Sequence, residues 1–261
     1  PDKYEITFTE DSDKIKRLDG GIQTNCKVTL AQKDNVEIRM LEVTNNGVEE
    51  EILEITSILE PILASLEAYN SHPAFQNLFL EFEYNENEDI FIIERKNRQD
   101  SQKGLYLAVS LYTEDKEIGK VEYEIDKEKL AGRENFFIPD MVENSKPFSN
   151  KIKYVTDPIL ALRKTIKIKP EETVKINLLL SVSEEKKLAV ENVKEYQNIE
   201  KINKSFEIAL ARADTQTRYL NINAKQIKTY QKMLGYILFS NLLQNKNNLK
   251  SKYYPKEELW Q

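Results

Sequence analysis

The sequence predicts a mainly β protein, a large antiparallel β-sandwich followed by C-terminal helices. Two observations carry the prediction. Through residue 182, apolar side chains recur with a period of two in short runs bounded by turn residues, the pattern of half-buried strands. Beyond Val182 the apolar spacing shifts to that of amphipathic helices. No helical stretch separates the early runs, which favours an antiparallel sandwich over a parallel sheet with crossover helices.

Taken in order, Tyr4, Ile6 and Phe8 alternate, then Ile22, Thr24, Cys26, Val28 and Leu30, then Val36, Ile38 and Met40. Residues 31–35 read as a hairpin loop, and the Asn-Asn-Gly within 44–50 supplies turn chemistry before Ile52, Leu53 and Ile55. His72-Pro73 predicts an extended entry into a strand at Phe75, because a residue before proline avoids the helical region. Further runs fall at 78–84, 105–111, 121–125, 166–168 and 174–182, with turns at 85–89 and 169–172. Ser183 then looks like a helix N-cap, with Glu184 and Glu185 suiting the helix dipole and the helix reaching about Tyr196. A second helix carries Ile202, Phe206, Ala209, Leu210 and Ala213 on one stripe. A third opens at Asn223 with Gln226 in capping-box position. The expected domains are a β-sandwich over 1–182, helices over 183–245 and an extended tail over 246–261.

The 261 residues carry a net charge of −6, with 40% apolar and 31% charged side chains. That balance suits a soluble globular protein able to bury a sizeable core. Lysines interleaved with glutamates exclude the concentrated basic surface that nucleic acid needs. One cysteine, Cys26, excludes an internal disulfide, and with one histidine, His72, it argues against a zinc site. Cys26 alternates with Val28 and Leu30, the place of a small buried hydrophobe. Walker, dinucleotide-binding and EF-hand loops are absent, so no cofactor or metal is expected. The longest mostly apolar run, 233–243, is well short of the ~20 residues of a membrane helix. The strand-like, charged opening is no signal peptide, and the expected location is cytoplasmic. The missing initiator methionine suggests a piece of a longer protein, with methionine removal before Pro1 as the alternative.

Two features have the look of a site. Glu81 and Glu83 stand two apart on one strand face, their Cα atoms roughly 6.5 Å apart, within the carboxyl spacing of glycoside hydrolysis. Leu80, Phe82 and Tyr84 point the other way, however, and plain alternation accounts for the pair. His72 has no catalytic partner at a recognised spacing, so a structural role is expected, with a sugar contact as the alternative. Lys167 and Lys169 belong to a solvated strand face.

Four stretches in order, 39–63, 72–84 ("HPAFQNLFLEFEY"), 130–136 ("LAGRENF") and 156–196, resemble the β-sandwich region of glycoside hydrolase family 94, formerly glycosyltransferase family 36. The nearest likeness is to cyclic β-1,2-glucan synthases and 1,2-β-oligoglucan phosphorylases. The helical stretch 206–241 continues it, so the resemblance covers the chain from about Lys27 onward. It implies a β-supersandwich, a helical linker and then an (α/α)6 barrel holding the active site, with an aspartate as general acid. Leu259-Trp260 resembles the pair that stands just before the barrel's first motif, so the chain is expected to stop at that threshold. No residue here then inherits a catalytic role. Gly132-Arg133-Glu134 departs from the family's Gly-Arg-Gly, and 140–153 matches only loosely.

The expected function is that of a non-catalytic β-sandwich fragment of an enzyme acting on β-1,2-glucan, supporting the barrel, the substrate cleft and a dimer. The alternative is a stand-alone carbohydrate-binding module. Candidate contacts with glucan or with the barrel are His72, Arg133, Asp157 and Arg163. The parent protein is expected to be an enzyme, anchored to the inner membrane, if at all, by segments upstream.

Overall fold

Each alternating run contributes to a strand, and two further strands join them. The computed structural model describes residues 1–96, 104–115, 118–132 and 139–238. In chain order the strands are β1 (Lys3–Phe8), β2 (Asp13–Asp19), β3 (Ile22–Leu30), β4 (Val36–Asn45), β5 (Glu51–Leu59), β6 (Leu80–Asn85), β7 (Ile90–Arg95), β8 (Leu105–Tyr112), β9 (Glu122–Asp126), β10 (Pro158–Ile168) and β11 (Thr173–Ser183). They form an eight-stranded sheet ordered β1-β2-β3-β4-β11-β8-β7-β6 and a three-stranded sheet ordered β5-β10-β9. The pairings are antiparallel throughout. This is the sandwich that the alternation predicts.

The sheets pack face to face. Val43, Phe91, Ile93 and Val109 of the large sheet meet Ile125, Leu160, Leu162 and Ile166 of the small one. Burial of this apolar surface is the main force holding the layers together. Tyr84 stacks on Phe91, their ring centroids 4.2 Å apart, and Tyr123 meets both rings at a tilt.

Short helices interrupt the strands where none was expected: α1 (Leu66–Ser71), α2 (Pro73–Asn77), α3 (Lys127–Ala131) and α4 (Asp140–Glu143). His72 ends α1 and caps α2, with Pro73 in the first turn of α2. The residue before proline is indeed non-helical, at φ −151° and ψ 76°, but the chain continues into a helix rather than a strand. Proline suits a first helical turn because its missing N–H would have no partner there. Phe75 is therefore helical, and the strand waits until Leu80.

On the other face of the large sheet lie α5 (Lys186–Tyr196) and the first half of α6 (Ile199–Tyr219). Ala189, Val193, Tyr196 and Ile202 cover Ile38, Ile90, Ile92 and Leu179. Ser183 is not the N-cap. Its pairing with Tyr106 keeps it in β11, its hydroxyl accepts the Glu185 N–H at 3.0 Å, and α5 starts at Lys186. Along α6, Ile202, Ala209 and Ala213 are buried, whereas Leu210 lies off their stripe and is 52% exposed. No helix among the described residues is long and apolar enough to cross a membrane.

The chain divides into two units, Pro1–Arg212 and Ala213–Gln261. Within the second, α7 (Ala224–Leu238) opens with the expected capping box. The Asn223 N–H donates to Gln226 Oε1 at 2.9 Å, and the Gln226 N–H to Asn223 Oδ1 at 3.1 Å.

The two sheets differ in width. No residue of β1 or β2 enters the described apolar clusters, and from β3 only Ile22 does so, at the margin. In register, Tyr4 stands opposite Arg17 and Ile6 opposite Ile15. Ile15 is in turn opposite Cys26, and Cys26 opposite Leu41. Leu41 packs into the core, so Tyr4, Ile6 and Phe8 belong to the sandwich-facing side, beyond the small sheet's reach. They are 56%, 44% and 64% exposed.

Asn45 makes the corner where the chain leaves one sheet for the other. It is fully buried. Its Nδ2 donates to Glu49 O at 2.7 Å and Ile168 O at 3.2 Å, and its Oδ1 accepts the Gly47 N–H at 2.8 Å. Its backbone also bonds Glu171 and Glu172 in the turn between β10 and β11. Asn45→Ala leaves the buried Ile168 carbonyl unsatisfied at a cost of roughly 1–3 kcal/mol and removes two part-buried bonds of about 1 kcal/mol each. We expect about 3 kcal/mol lower stability in urea unfolding; a loss under about 1 kcal/mol would show that the corner holds without this side chain.

Candidate functional site

Strand β10 alternates Leu160, Leu162 and Ile166 toward the large sheet with Ile159, Ala161 and Arg163 on the opposite side. Arg163 is only 2% exposed. Its Nη1 donates to Glu54 Oε2 on β5 at 2.9 Å, and its Nη2 to Glu122 Oε2 on β9 at 2.8 Å and to Lys146 O at 2.7 Å. The guanidinium sits over the Phe148 ring, 4.1 Å from its centroid. One side chain thus ties all three strands of the small sheet to the 146–148 segment. A planar fork of donors serves this better than a lysine ammonium.

Three neighbours complete the fastening. Glu124 is fully buried; its carboxylate accepts the N–H groups of Ile125, Asp126 and Ser149 at 3.0, 3.1 and 3.3 Å. Phe148 N–H donates to Glu122 Oε2 at 3.3 Å. Asn150, at φ +50°, pairs with the edge strand β9. Its N–H donates to Tyr123 O at 3.0 Å, its Oδ1 accepts the Tyr123 N–H at 2.7 Å, and its carbonyl accepts the Tyr123 hydroxyl at 2.9 Å. This covers an edge that would otherwise present free backbone groups.

Partial burial pushes the Glu122 carboxyl up, but the Arg163 hydrogen bond, the Phe148 N–H and the Arg163 charge outweigh it and hold Glu122 below its ordinary value. Glu54 and Glu122 face the same arginine, so two carboxylates share one guanidinium. What this arrangement can do is hold loops in place; a general acid needs a carboxyl kept protonated near neutrality, and Glu122 is driven the other way.

The remaining sequence-derived residues lie elsewhere. Asp157, just before β10, is exposed; its Oδ1 accepts Asn77 Nδ2 at 3.2 Å and its carbonyl the Lys127 N–H at 3.1 Å. His72 is exposed at the start of α2, the helix that ends at Asn77. Helix α2 therefore brings His72 and Asp157 to one edge. Arg163, six residues along β10 from Asp157, lies roughly 20 Å away. Arg133 lies outside the described residues. Glu81 pairs with Lys96 and Glu83 with Lys186 at the surface. Burial pushes the half-buried Cys26 thiol up, away from the reactive thiolate. Among the described residues no group of three His, Cys, Asp or Glu is placed to hold a metal ion.

Glu54, Glu122, Glu124 and Asn150 were not singled out by sequence reasoning. One signal was present: Glu122, Glu124 and Asp126 occupy every outward position of β9, an acidic row in need of a cation.

Two antiparallel sheets of unequal width, with a polar network that fastens loops, define a β-sandwich module. Residues 1–199 match the glycosyl hydrolase 94 supersandwich domain, and the chain belongs to that family. It is 21% identical over 242 residues to the cyclic beta-(1,2)-glucan synthase NdvB of Rhizobium meliloti (strain 1021), a match covering 92% of this chain and 8% of that protein. The chain thus spans under a tenth of the curated relative. Among solved structures it is similar to a polysaccharide lyase, with 16% identity and a TM-score of 0.40 over 69% of this chain and 23% of the other. A bacterial glucoamylase complexed with acarbose matches at 12% identity and a TM-score of 0.38, over 84% and 28%.

Replacing Arg163 by Met strands two carboxylates that keep some water, so we expect about 2–3 kcal/mol lower stability, less than for a fully buried pair. Because the folded value of Glu122 is depressed, its contribution is present above the unfolded value of about 4.3 and fades as pH falls through the folded value. Urea titrations between neutral and acid pH should show this fading in the parent chain and a flatter profile in Arg163→Met. Parallel profiles would remove the arginine from the account.

Proposed function

We propose that the chain is the non-catalytic β-sandwich module of a carbohydrate-active enzyme of the cyclic β-1,2-glucan synthase or β-glucan phosphorylase kind. It supports an (α/α)6 catalytic barrel, the substrate cleft next to it and the pairing of two copies. The helical linker, expected over 183–245, leads from the sandwich toward the barrel; 239–261, with the expected tail, lie outside the described residues. His72 and Asp157 at the α2 edge, with Arg133, are proposed contacts with the barrel or its glucan. Arg163 holds the 146–148 segment against the small sheet.

The observation that favours this reading is the uncovered strip on β1. Tyr4, Ile6 and Phe8 face the side on which the other strands of the sheet bury their apolar residues, and a second body covering that side would bury them too. The two rings, Tyr4 and Phe8, also give the stand-alone carbohydrate-binding module a specific basis, since exposed aromatic faces can stack on sugars. The intervening Ile6 favours the docking reading, because an aliphatic side chain offers no stacking plane.

Ile6→Lys separates the two. In the isolated chain it should change stability by less than about 0.5 kcal/mol, as an exposed substitution. In the full-length polypeptide it should lower activity on β-1,2-glucan severalfold. Unchanged full-length activity, together with sugar binding lost in Tyr4→Ala/Phe8→Ala, would favour the binding module. The isolated chain should release no reducing sugar from the glucan; release abolished by Glu81→Gln would assign hydrolysis to the chain itself.

A further inference from the structure

The turn from β4 into β5 contains Asn46-Gly47, an asparagine followed by the residue that shields its own backbone nitrogen least. Asn46 is exposed, so water and hydroxide reach it. Such a pair can react with itself. The Gly47 nitrogen, after losing its proton to hydroxide, attacks Asn46 Cγ. The new C–N bond closes a succinimide ring, and the Cγ–Nδ2 bond breaks to release ammonia. Water then opens either ring carbonyl, leaving aspartate or isoaspartate. The net change is amide and water to carboxylate and ammonium, with no oxidant, reductant or cofactor.

A bulkier residue at 47 would hinder the attack, but the fold excludes one. A Cβ there would lie 2.9 Å from Asn45 Oδ1. Gly21 approaches from another side, so closely that a Cβ on it would meet Gly47 Cα and N at 3.0 Å. Gly47 is not at positive φ, so space rather than backbone conformation calls for glycine. The same crowding restrains the reaction. The Gly47 N–H carries the proton that must leave, and it is donated to Oδ1 of the buried Asn45 at 2.8 Å. The Asn46 N–H is donated to Gly21 O at 2.8 Å, which fixes the preceding peptide. Ring closure has to break the first of these bonds and swing the Gly47 nitrogen toward the Asn46 side chain, out of its seat between Gly21 and Asn45.

We propose that Asn46 is a deamidation site, and that Asn45 Oδ1, by holding the Gly47 N–H, keeps it closed while the corner is folded. The corner that fixes the passage between the sheets thus protects its own weakest bond. Once converted to isoaspartate, the main chain runs through an additional methylene where β4 hands over to β5. A new carboxylate also appears beside Glu49, Glu50 and Glu51. Both changes work against the turn, and the first is not reversed by refolding.

The test follows the full chain in mildly alkaline buffer, below its unfolding transition. Peptide mapping by mass spectrometry reads conversion at Asn46, and methyl transfer from S-adenosylmethionine by an isoaspartyl methyltransferase counts isoaspartate. Conversion should be slow in the folded chain and fast in urea. In Asn45→Ala it should be severalfold faster than in the parent, the factor that one lost hydrogen bond carries. Arg163→Met, destabilised to a similar extent through a different network, should convert at the parent rate. Hydrogen exchange gives a readout that needs no variant and serves if Asn45→Ala misfolds: the Gly47 amide should exchange far more slowly in the folded chain than in urea. Conversion in the folded chain as fast as in urea, equal rates in Asn45→Ala and the parent, equal acceleration in Arg163→Met, or an unprotected Gly47 amide would each overturn the proposal.

Discussion

Strand β10 belongs to a sheet only three strands wide, yet from Pro158 to Lys164 every residue is buried, and much of the module follows from that. The inner face is covered by the large sheet through ordinary apolar packing. Among the described residues the outer face has only the short helices α3 and α4 and the irregular segment that follows them. Apolar contact there is confined to a few residues such as Leu130, Phe148 and Ile159. A layer so poor in regular structure leaves many backbone groups without partners. The Arg163, Glu124 and Asn150 side chains supply those partners and hold the loop in a single conformation.

Burying a guanidinium and a carboxylate costs desolvation, and an apolar layer of equal volume is often at least as stable. What the polar network adds is direction. Each of its hydrogen bonds is satisfied only when the loop lies in one register against β9, whereas an apolar patch tolerates sliding. The same reasoning applies to Asn45, which specifies where the chain turns from the large sheet into the small one. Polar side chains placed between layers determine which arrangement forms, while the aliphatic core supplies most of the stabilisation.

Alternation was plain in β3, and it was also read in β8 and β11, although 107–111 and 176–179 are buried on both faces. β7 reads Ile-Phe-Ile-Ile because it is covered on both faces, which erases the period. β10 was seen only at its end, Ile166–Ile168, for the same reason. β2 carries three cations and two acids around Ile15 and Leu18, so its strand character comes from pairing with β1 and β3. The short helices α1 to α4 are too brief to build a periodic stripe. Arg163 was picked out through its family-like motif, but Glu54 and Glu122 lie 109 and 41 residues away, and no local spacing announces them. They meet because β10 sits between β5 and β9.

On the proposed reading the module acts through surfaces rather than through reacting groups. Its aromatic cluster of Tyr84, Phe91 and Tyr123 is part of the core. What remains available on the sandwich side is the strip along β1, where the wide sheet outruns the narrow one. The most direct measurement is to place a photo-reactive benzoyl-phenylalanine at Ile6 in the full-length polypeptide and map its cross-links by mass spectrometry. The account predicts cross-links to residues of the catalytic domain in the same molecule. Strip cross-links that reach only added β-1,2-glucan, or no protein at all, would contradict it.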